Sequence, residues 1–353
     1  MELTSDLWLD QPNAHDRIEI RHRSGDLDDA RAALLHTFVD EGFARIELDL
    51  DDAFFDRFEE DVASAWRDRP EKLAVSPLGP DRPVSFSSYD GPERAPGYRI
   101  PDFHGYSDAA LDLYLDPVIF EMIELLFGHP ALAFQSLYFE YGSRQPLHRD
   151  PMFVPTSPAS HLLASWTALE DIVPEAGPLE YVPGSHREPW FEFEPGSIVR
   201  RPTVSMERVL SWRKSVTDLT DRTPALSFRA RRGETFIWHG GLFHGGAPVN
   251  DPTLTRKSFV VHYSTAHTYR SRTAGMRIRD GDEWTTVQCS ANAIIERGSS
   301  RGLMSPLAQF AQPGNDYPSD QRLAESRPIG LSRSMRNVAF NAMRRKSYTK
   351  RSR

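Results

Sequence analysis

Cysteine, long apolar runs and excess positive charge are all scarce in this sequence. Cys289 is the single cysteine among 353 residues, which excludes an intrachain disulfide and any multi-cysteine zinc or iron–sulfur site. No apolar stretch reaches the ~20 residues that span a bilayer. The opening residues, MELTSDLWLDQPNAHDRIEI, also lack the basic flank and apolar run of a signal peptide. These absences predict a soluble cytoplasmic protein with no integral membrane segment.

The charge and the apolar content narrow the class of partner. The formal net charge is -8, so the body of the protein is expected to repel nucleic-acid phosphates and anionic lipid. Hydrophobic residues make up 39% of the chain and aromatic residues 11%, which is enough for a globular core. We therefore expect a small-molecule partner and no nucleic acid. The sequence does not predict an oligomeric state.

The first third of the chain is predicted to be helical. The stretch LDDARAALLHTFVDEGFARIEL has helical spacing up to Gly42 and then alternates like a strand, and DDAFFDRFEEDVASAWRD is amphipathic up to Pro70. The stretch DAALDLYLDPVIFEMIELLF reads as a helix that restarts at Pro117 and closes at Gly128. Residues 28–128 are accordingly assigned as a helical N-terminal part.

The character of the sequence changes at about residue 130. The stretches ALAFQSLYFEYG, LLASWTALEDI, GETFIWHGG and KSFVVHYST are short and rich in aliphatic and aromatic residues, with no helices alternating between them. This pattern favours antiparallel sheets folded as a barrel or jelly roll over about 130–270. The expected fold class is mainly β with flanking helices.

Two loop regions and a tail complete the predicted organisation. A single domain is expected over 1–275, with lid loops over about 70–106 and 190–225, because loops this long in a compact domain are commonly functional. Residues 276–353 are predicted to form a C-terminal extension with a basic tail. That tail is either a solvated terminus or a helix over 332–345 with a docking role.

A histidine and a carboxylate stand close together in QPLHRDPMFV. On a strand, His148 and Asp150 would point to the same face, where both can bind one cation. A third ligand is expected from a distant strand, where His239 and His244 are the candidates. Two histidines and one carboxylate form the facial triad of non-heme Fe(II) oxygenases. Arg256 follows and is either a fork for a carboxylate ligand or an ordinary surface charge.

Three blocks and a short motif resemble the phytanoyl-CoA dioxygenase family of Fe(II)- and 2-oxoglutarate-dependent oxygenases. The blocks are FQSLYFEYGSRQPLHRD, SWTALEDIVPEAGPLEYVPGSHR and GETFIWHGGLFHGG, followed by TRKSF. The resemblance runs from about Asp28 to Thr268 and implies a double-stranded β-helix, a jelly roll of the cupin-like kind. It also implies Fe(II) and 2-oxoglutarate as cofactors.

The family's functional positions fall on specific residues of this chain. His148, Asp150 and His244 match the iron ligands, and His239 is then expected to be structural or to support a ligand. Arg256 matches the arginine that anchors 2-oxoglutarate. Weaker matches place Trp166 beside the co-substrate and Gln135 where relatives use a polar side chain for the same ligand. The alternatives for this last pair are a buried core indole and a barrel-interior amide.

Two positions depart from the family pattern. Arg149 stands where glutamine is frequent, and it is expected either to face outward or to meet an anionic substrate. Gly246 stands where a serine often contacts the co-substrate. Neither departure removes an iron ligand.

The resemblance implies hydroxylation of an unactivated C–H bond of a small metabolite by O2, while 2-oxoglutarate becomes succinate and CO2. Family halogenases lack the ligating carboxylate, whereas Asp150 is present here. A non-catalytic jelly-roll binding protein, or one whose reaction does not use 2-oxoglutarate, is the alternative that the sequence leaves open. The sequence does not identify the substrate.

Overall fold

The computed structural model describes residues 7–78, 83–154, 156, 158–265, 276–280, 283–287 and 294–303. Six α-helices are present in this part of the chain: α1 (Ala14–Arg23), α2 (Asp29–Glu41), α3 (Asp52–Asp68), α4 (Asp108–Tyr114), α5 (Pro117–Phe127) and α6 (Met206–Arg222). None of the helices in these ranges is both long and apolar enough to cross a membrane. The predicted C-terminal helix over 332–345 lies outside the described residues.

Fifteen strands occur in the same ranges. They are β1 (Phe43–Glu47), β2 (Ala74–Pro77), β3 (Val84–Ser85), β4 (Tyr98–Pro101), β5 (Ala131–Phe139), β6 (Leu163–Ala168), β7 (Leu179–Tyr181), β8 (Leu226–Phe228), β9 (Glu234–His239), β10 (His244–Gly246), β11 (Ser258–Thr265), β12 (Met276–Asp280), β13 (Glu283–Val287), β14 (Ile294–Arg297) and β15 (Ser300–Leu303). The pairings among them are predominantly antiparallel. The chain is thus mainly β with flanking helices, as the sequence predicted.

The helices begin and end at capping or helix-breaking residues that are visible in the sequence. Helix α2 ends at Gly42, which adopts a left-handed conformation with φ of 79° that costs glycine little. Helix α3 begins at the Asp51 cap, whose carboxylate accepts the Phe54 N–H and so satisfies one otherwise unpaired backbone donor. Pro117 opens α5 and Gly128 closes it. The boundaries predicted at Gly42, Pro117 and Gly128 are confirmed.

The chain forms two compact units, and the first comprises residues up to 50 together with 139–260. One of its sheets contains β1, β9 and β6 side by side, and the other contains β10, β7 and β8. Their facing aromatic side chains pack together: the Phe43 ring lies 4.7 Å from Tyr181, and Phe236 lies 5.3 Å from Phe228. Two antiparallel sheets closing on an aromatic core form the jelly roll.

The second unit comprises 51–138 together with the described residues between 261 and 303. In it β5, β4, β2 and β3 are neighbours in that order, and β15 runs parallel to β5. Residues 294–303 therefore add a hairpin to this unit, although the sequence signal fades after about 275. The Leu303 carbonyl accepts hydrogen bonds from His104 Nε2 at 2.9 Å and from the Tyr114 hydroxyl at 3.0 Å, which fixes the hairpin on the helical layer.

The stretches predicted as lid loops contain regular structure. Residues 70–106 include strands β2 to β4, and Tyr98 and Phe103 from this region are buried in the core. Residues 190–225 include the 17-residue helix α6. Trp212 on α6 packs with Phe193 and Phe243. Apolar contacts therefore hold this helix in place, although most of the residues around Trp212 in the sequence are polar and did not indicate a buried helix.

The buried His104 makes the stability of the protein sensitive to acid. Its Nε2–H donates to Leu303, its Nδ1 lies 2.7 Å from the Ser136 hydroxyl, and burial lowers its pKa to about 4. An unfolded histidine titrates near 6.5, so the stabilisation is complete above that pH and is lost as the pH falls from 6.5 towards 4.

We expect this single group to cost about 2 kcal/mol of unfolding free energy between pH 6.5 and pH 4.5. Denaturant titrations at both pH values should show the loss in the wild-type chain and a loss smaller by that amount in His104→Gln. His129→Gln, which alters an exposed histidine, serves as the control. Equal losses in wild type and His104→Gln would contradict the assignment.

Candidate active site

The centre of the site is a backbone bridge between two distant segments. His148 and His244 exchange main-chain hydrogen bonds, with the His148 N–H donating over 2.9 Å and the His244 N–H over 3.0 Å. His244 begins β10 in the sheet of β10, β7 and β8. The sheet therefore fixes the position of one imidazole, and the bridge fixes the other against it.

Three ligand atoms converge at this bridge. Each of His148, Asp150 and His244 offers one ligand atom, and these atoms all lie within 4.8 Å of one another. Asp150 Oδ1 is 3.6 Å from His148 Nε2 and 3.4 Å from His244 Nε2. All three residues are buried. Among the described residues this is the group whose atoms meet the geometry of a metal site.

The backbone selects the nitrogen that each imidazole presents to the centre. His148 Nδ1 lies 2.9 Å from the Pro146 carbonyl, and His244 Nδ1 lies 3.0 Å from the Leu242 carbonyl. A carbonyl only accepts, so each Nδ1 carries a proton, and in the neutral ring it is Nε2 that presents a lone pair to the centre. Hydrogen bonding of the outer ring nitrogen is the usual support of a metal-ligating histidine.

The charges around the three side chains also favour a cation. Burial, and then the neighbouring His244, lower the pKa of His148. Burial opposes a charge on His244 as well, yet the attraction of Asp150 is sufficient to raise the pKa of His244 above its usual value. The buried carboxylate thus draws positive charge into the centre, where a divalent ion would supply it.

The local backbone differs from the strand that the sequence suggested. His148 lies in an isolated bridge, and Asp150 opens a short 3-10 helix that ends at Met152. Pro151 has no N–H with which to continue a strand, and the chain turns at this point. The two side chains still converge, but they do so through this turn and not through alternation along a strand.

Glycine after His244 allows the two segments to approach closely. A Cβ added at Gly245 would lie 2.6 Å from the Gln145 carbonyl oxygen, and one at Gly246 would lie 2.7 Å from the Ser143 hydroxyl. Real Cβ atoms are essentially never found that close to another heavy atom. The space for a serine side chain at 246 is therefore already filled by Ser143, which is a physical reason for the departure from the family pattern.

Trp238 on β9 supports the carboxylate, although sequence reasoning did not identify it. Its indole Nε1–H donates to Asp150 Oδ2 over 2.8 Å, and its ring centroid lies 4.7 Å from that of His244. This contact holds Oδ2 and leaves Oδ1 facing the two imidazoles. Trp238 lies six residues before His244 in the sequence. This spacing indicates that the two side chains are close only when β9 and β10 are known to be connected by a tight turn.

We expect Trp238→Phe to weaken Fe(II) binding by about 10–100-fold, the usual cost of losing a hydrogen bond to a metal ligand. Without the indole N–H, Asp150 is free to rotate and to present both oxygens to the metal. Titration of the anaerobic protein with Fe(II) measures the effect. Trp66→Phe is the matched control, because the Trp66 Nε1 is buried without a hydrogen-bond partner. Equal affinities in the two variants would contradict the supporting role.

Arg256 is a buried guanidinium with little to neutralise it. It is 2% exposed, its Nε has no hydrogen-bond partner, and one Nη lies 3.4 Å from the Gly177 carbonyl. Its charge lies 5.7 Å from the ring of Trp166 and 6.0 Å from that of Phe139. Burial lowers the pKa of Arg256 to about 10. A group of this kind fits an anionic ligand such as a carboxylate.

The two weaker candidates lie in different units. Trp166 on β6 is 2% exposed, and its Nε1 has no hydrogen-bond partner. It accompanies Arg256 in the first unit. Gln135 on β5 belongs to the second unit, where its Oε1 is buried without a partner. The roles of both residues stay predictions.

Arg149 does not face outward, in contrast to one of the two expectations, and its contact with a substrate stays a prediction. It is 3% exposed, and its guanidinium donates to the carbonyls of Ser185, Glu188 and Pro189 at 2.7–3.0 Å. The cation also lies against the ring of Trp190 at 4.7 Å. Strand-like sequence gives no sign of this, because the partners are carbonyls some forty residues away. Arg149 ties the segment after β7 to the residues between the two candidate ligands.

His239 is separate from the three converging side chains. Its Nδ1 accepts the Gly241 N–H at 2.9 Å, and its Nε2 lies 3.4 Å from Asp10 Oδ2. Both ring nitrogens thus face structural partners. Besides Trp238, the three converging side chains have a second polar neighbour that the sequence did not predict, Gln145. Its amide nitrogen lies 3.1 Å from His148 Nε2, so Gln145 is in direct contact with a candidate metal ligand.

Comparisons with known proteins agree with this geometry. Residues 99–257 match the family model "Phytanoyl-CoA dioxygenase (PhyH)". The chain is 24% identical over 238 residues to the peroxisomal phytanoyl-CoA dioxygenase of Homo sapiens, covering 65% of this chain and 67% of that protein. It is 26% identical over 206 residues to a probable phytanoyl-CoA dioxygenase of Caenorhabditis elegans, covering 53% and 61%. The two alignments span 67% and 61% of these relatives' own lengths, so the C. elegans relative is covered to less than two thirds.

Solved structures show the same fold. The non-heme alpha ketoglutarate dependent carbocyclase SnoK is similar with a TM-score of 0.50 and 17% identity, over 75% of this chain and 98% of that one. EctD from S. alaskensis with bound Fe is similar with a TM-score of 0.50 and 17% identity, over 69% and 78%. The predicted cupin-like jelly roll is confirmed.

The fold, the three converging side chains and the match to the family model together resemble one class of proteins, the non-heme Fe(II)- and 2-oxoglutarate-dependent dioxygenases. Within that class the chain is similar to the phytanoyl-CoA dioxygenase family, whose model matches residues 99–257. The resemblance predicted from the sequence is therefore confirmed.

Proposed function

We propose that this protein hydroxylates an unactivated C–H bond of a small-molecule metabolite, using O2 and converting 2-oxoglutarate to succinate and CO2. The observation that carries the proposal is the convergence of two imidazole nitrogens and one carboxylate oxygen within 4.8 Å of one another, in a chain whose residues 99–257 match the phytanoyl-CoA dioxygenase family model. Asp150 occupies the position that halogenases of the family leave without a carboxylate, which supports hydroxylation.

In this proposal His148, Asp150 and His244 hold the iron. When bound, Fe(II) activates O2 in reaction with 2-oxoglutarate. The protein side chains hold the ligands and exclude water. The two backbone carbonyls keep the imidazoles in the ligating tautomer, and Trp238 keeps Asp150 directed through a single oxygen.

Arg256 is proposed to bind the distal carboxylate of 2-oxoglutarate. Its buried and nearly unpaired fork supports this role, because a carboxylate would satisfy the free Nε and neutralise the charge. Trp166, with its cation–π contact to Arg256, is proposed to flank the same ligand. Gln135 is proposed as a further polar contact from its unpaired Oε1.

The surroundings of His148 favour a substrate with an apolar portion. Phe153 is 47% exposed, although it is a large hydrophobic residue, and its ring lies 5.5 Å from the His148 ring. An exposed phenyl group next to a candidate metal ligand is suited to hold an aliphatic or ring surface near the reacting C–H bond. This contact supports the substrate class and not a particular metabolite.

A spectroscopic titration tests the proposal. Anaerobic protein containing Fe(II) should develop a weak visible charge-transfer band when 2-oxoglutarate is added, and admission of air should then yield succinate. A silent spectrum together with absence of succinate would instead support a binding protein. Loss of the band in His148→Ala would connect the signal to the proposed centre.

Localisation and partners remain proposals. A cytoplasmic location is proposed from the single cysteine and the composition of the sequence. The substrate and O2 are the expected partners, as they are for the family. The docking role suggested for the basic tail lies outside the described residues.

A further inference from the structure

A second group of histidines lies on the surface between α1 and α2, in the first unit. Three histidine–carboxylate pairs join the two helices: His22 Nε2 with Asp29 at 2.7 Å, His36 Nε2 with Glu19 at 3.1 Å, and His15 Nε2 with Asp40 at 3.0 Å. Along α1 the participating residues are spaced by four and three positions, so they form one helical face. We call this row the α1–α2 seam.

Two histidines of the seam also face each other. His15 Nδ1 and His36 Nδ1 are 2.6 Å apart, and the rings stack with centroids 4.9 Å apart and planes inclined by 12°. The third histidine of the seam, His22, contacts the Asp29 carboxylate across the seam and, among the described residues, is not paired with another imidazole. The seam thus contains one converging pair and one single histidine of similar setting.

The carboxylates determine the protonation of the converging pair. Ionised Asp40 and Glu19 only accept hydrogen bonds, so the Nε2 atoms of His15 and His36 carry protons. In the neutral rings both Nδ1 atoms then present lone pairs to each other across 2.6 Å. Two lone pairs at this distance repel, and a positive species between them removes the repulsion. A proton or a metal cation are the two species that fit.

We propose that His15 and His36 form a binding site for a divalent transition-metal ion of the Zn(II) or Ni(II) type, which clips α1 to α2. Both rings have the arrangement typical of ligating histidines, with one nitrogen directed to the ion and the other donating to a carboxylate. Imidazole nitrogens suit such borderline ions, whereas Mg(II) prefers oxygen.

Charge and geometry are consistent with this ion. Two neutral imidazoles, two carboxylates, Arg187 and one divalent cation sum to a charge of +1, and a single shared proton in place of the ion gives zero, so the net charge permits either species and the titration decides between them. Zn–N bonds of about 2.0–2.1 Å at a tetrahedral angle place the two nitrogens about 3.3 Å apart. The pair must therefore open by about 0.7 Å, which side chains with 45% and 28% exposure permit. Water completes the coordination, and Arg187 also contacts Asp40, at 3.4 Å.

The site is independent of the proposed catalytic centre, and its test must keep the two apart. We would use the full chain without a histidine tag and with Asp150→Ala and His244→Ala, which remove two of the three central ligands. Calorimetric titration with ZnCl2 is expected to show one site in this background. Adding His15→Gln or His36→Gln should weaken that binding by at least about 10-fold.

His22→Gln is the matched control, because it removes a histidine of the same seam that has no imidazole partner. We expect it to leave the Zn(II) isotherm unchanged. Unchanged binding in His15→Gln and His36→Gln, or an equal loss in His22→Gln, would overturn the proposal and favour a shared proton in the pair.

A thermal readout gives a second, independent measure. Because the ion binds folded protein that has both helices in place, saturating ZnCl2 should raise the unfolding midpoint of the background chain by about 2 °C or more. MgCl2 at the same concentration should leave the midpoint unchanged, as should ZnCl2 with His36→Gln. A rise produced equally by both salts would overturn the site.

Discussion

Asp150→Ala is expected to lower turnover by more than about 100-fold, because losing a mere supporting partner of a metal ligand already costs 10–100-fold. Asp150 is the carboxylate that lies between the two imidazoles, 3.6 Å from His148 Nε2 and 3.4 Å from His244 Nε2. Without it the centre loses both its negative charge and one of three ligand atoms. Succinate formation and Fe(II) titration under anaerobic conditions measure the two consequences.

Asp251→Ala is the control for this variant. Asp251 is partly exposed, and its carboxylate accepts hydrogen bonds from the N–H and hydroxyl of Thr253 in its own turn, so activity should stay at the wild-type level. Folding is checked by the far-ultraviolet circular dichroism spectrum of both variants. Turnover by a folded Asp150→Ala chain close to that of wild type would refute the proposed iron site.

Replacement of Arg256 is expected to have the second large effect. It should weaken the binding of 2-oxoglutarate while leaving the stability of the cofactor-free protein unchanged or increased. Arg256→Met is expected to raise the KM for 2-oxoglutarate by about 100-fold, since a buried charge-assisted pair commonly contributes a few kcal/mol. The cofactor-free protein, in contrast, should be as stable as wild type or more so, because the variant removes a buried cation paired mainly with one carbonyl.

Arg256→Lys separates charge from shape. Lysine keeps the positive charge but cannot form the planar two-bond contact with a carboxylate, so an intermediate KM is expected. Steady-state kinetics with varied 2-oxoglutarate and denaturant unfolding without it provide the two measurements. A large loss of stability in Arg256→Met with an unchanged KM would show that the arginine is structural and does not bind the co-substrate.

Much of the architecture was accessible from local sequence. Gly42, Pro117 and Gly128 marked helix boundaries because each restricts or permits backbone conformations regardless of the surroundings. The change from helical spacing to short apolar strands at about residue 130 gave the mainly β class. The helix α6 was missed, because its apolar face is short and its burial depends on Phe193 and Phe243 from other segments.

The candidate site shows the same division. The motif carrying His148, Asp150 and His244 named the chemistry, since few residue types bind iron and leave open positions. The expectation that Asp150 extends a strand was wrong because Pro151 turns the chain into a 3-10 helix. The expectation that Arg149 faces outward was wrong because its partners, three carbonyls and two aromatic faces, are distant in sequence.

The sequence by itself determined the class of fold, the resemblance to a family and the residue types able to hold a metal, because these depend on local conformational preference and on the chemistry of individual side chains. Only the tertiary structure decided which atoms converge. Trp238 fixing one oxygen of Asp150, Ser143 filling the place of a side chain at Gly246, and His15 meeting His36 all depend on contacts between segments that are distant in sequence. Such contacts are set by packing, which no local pattern encodes.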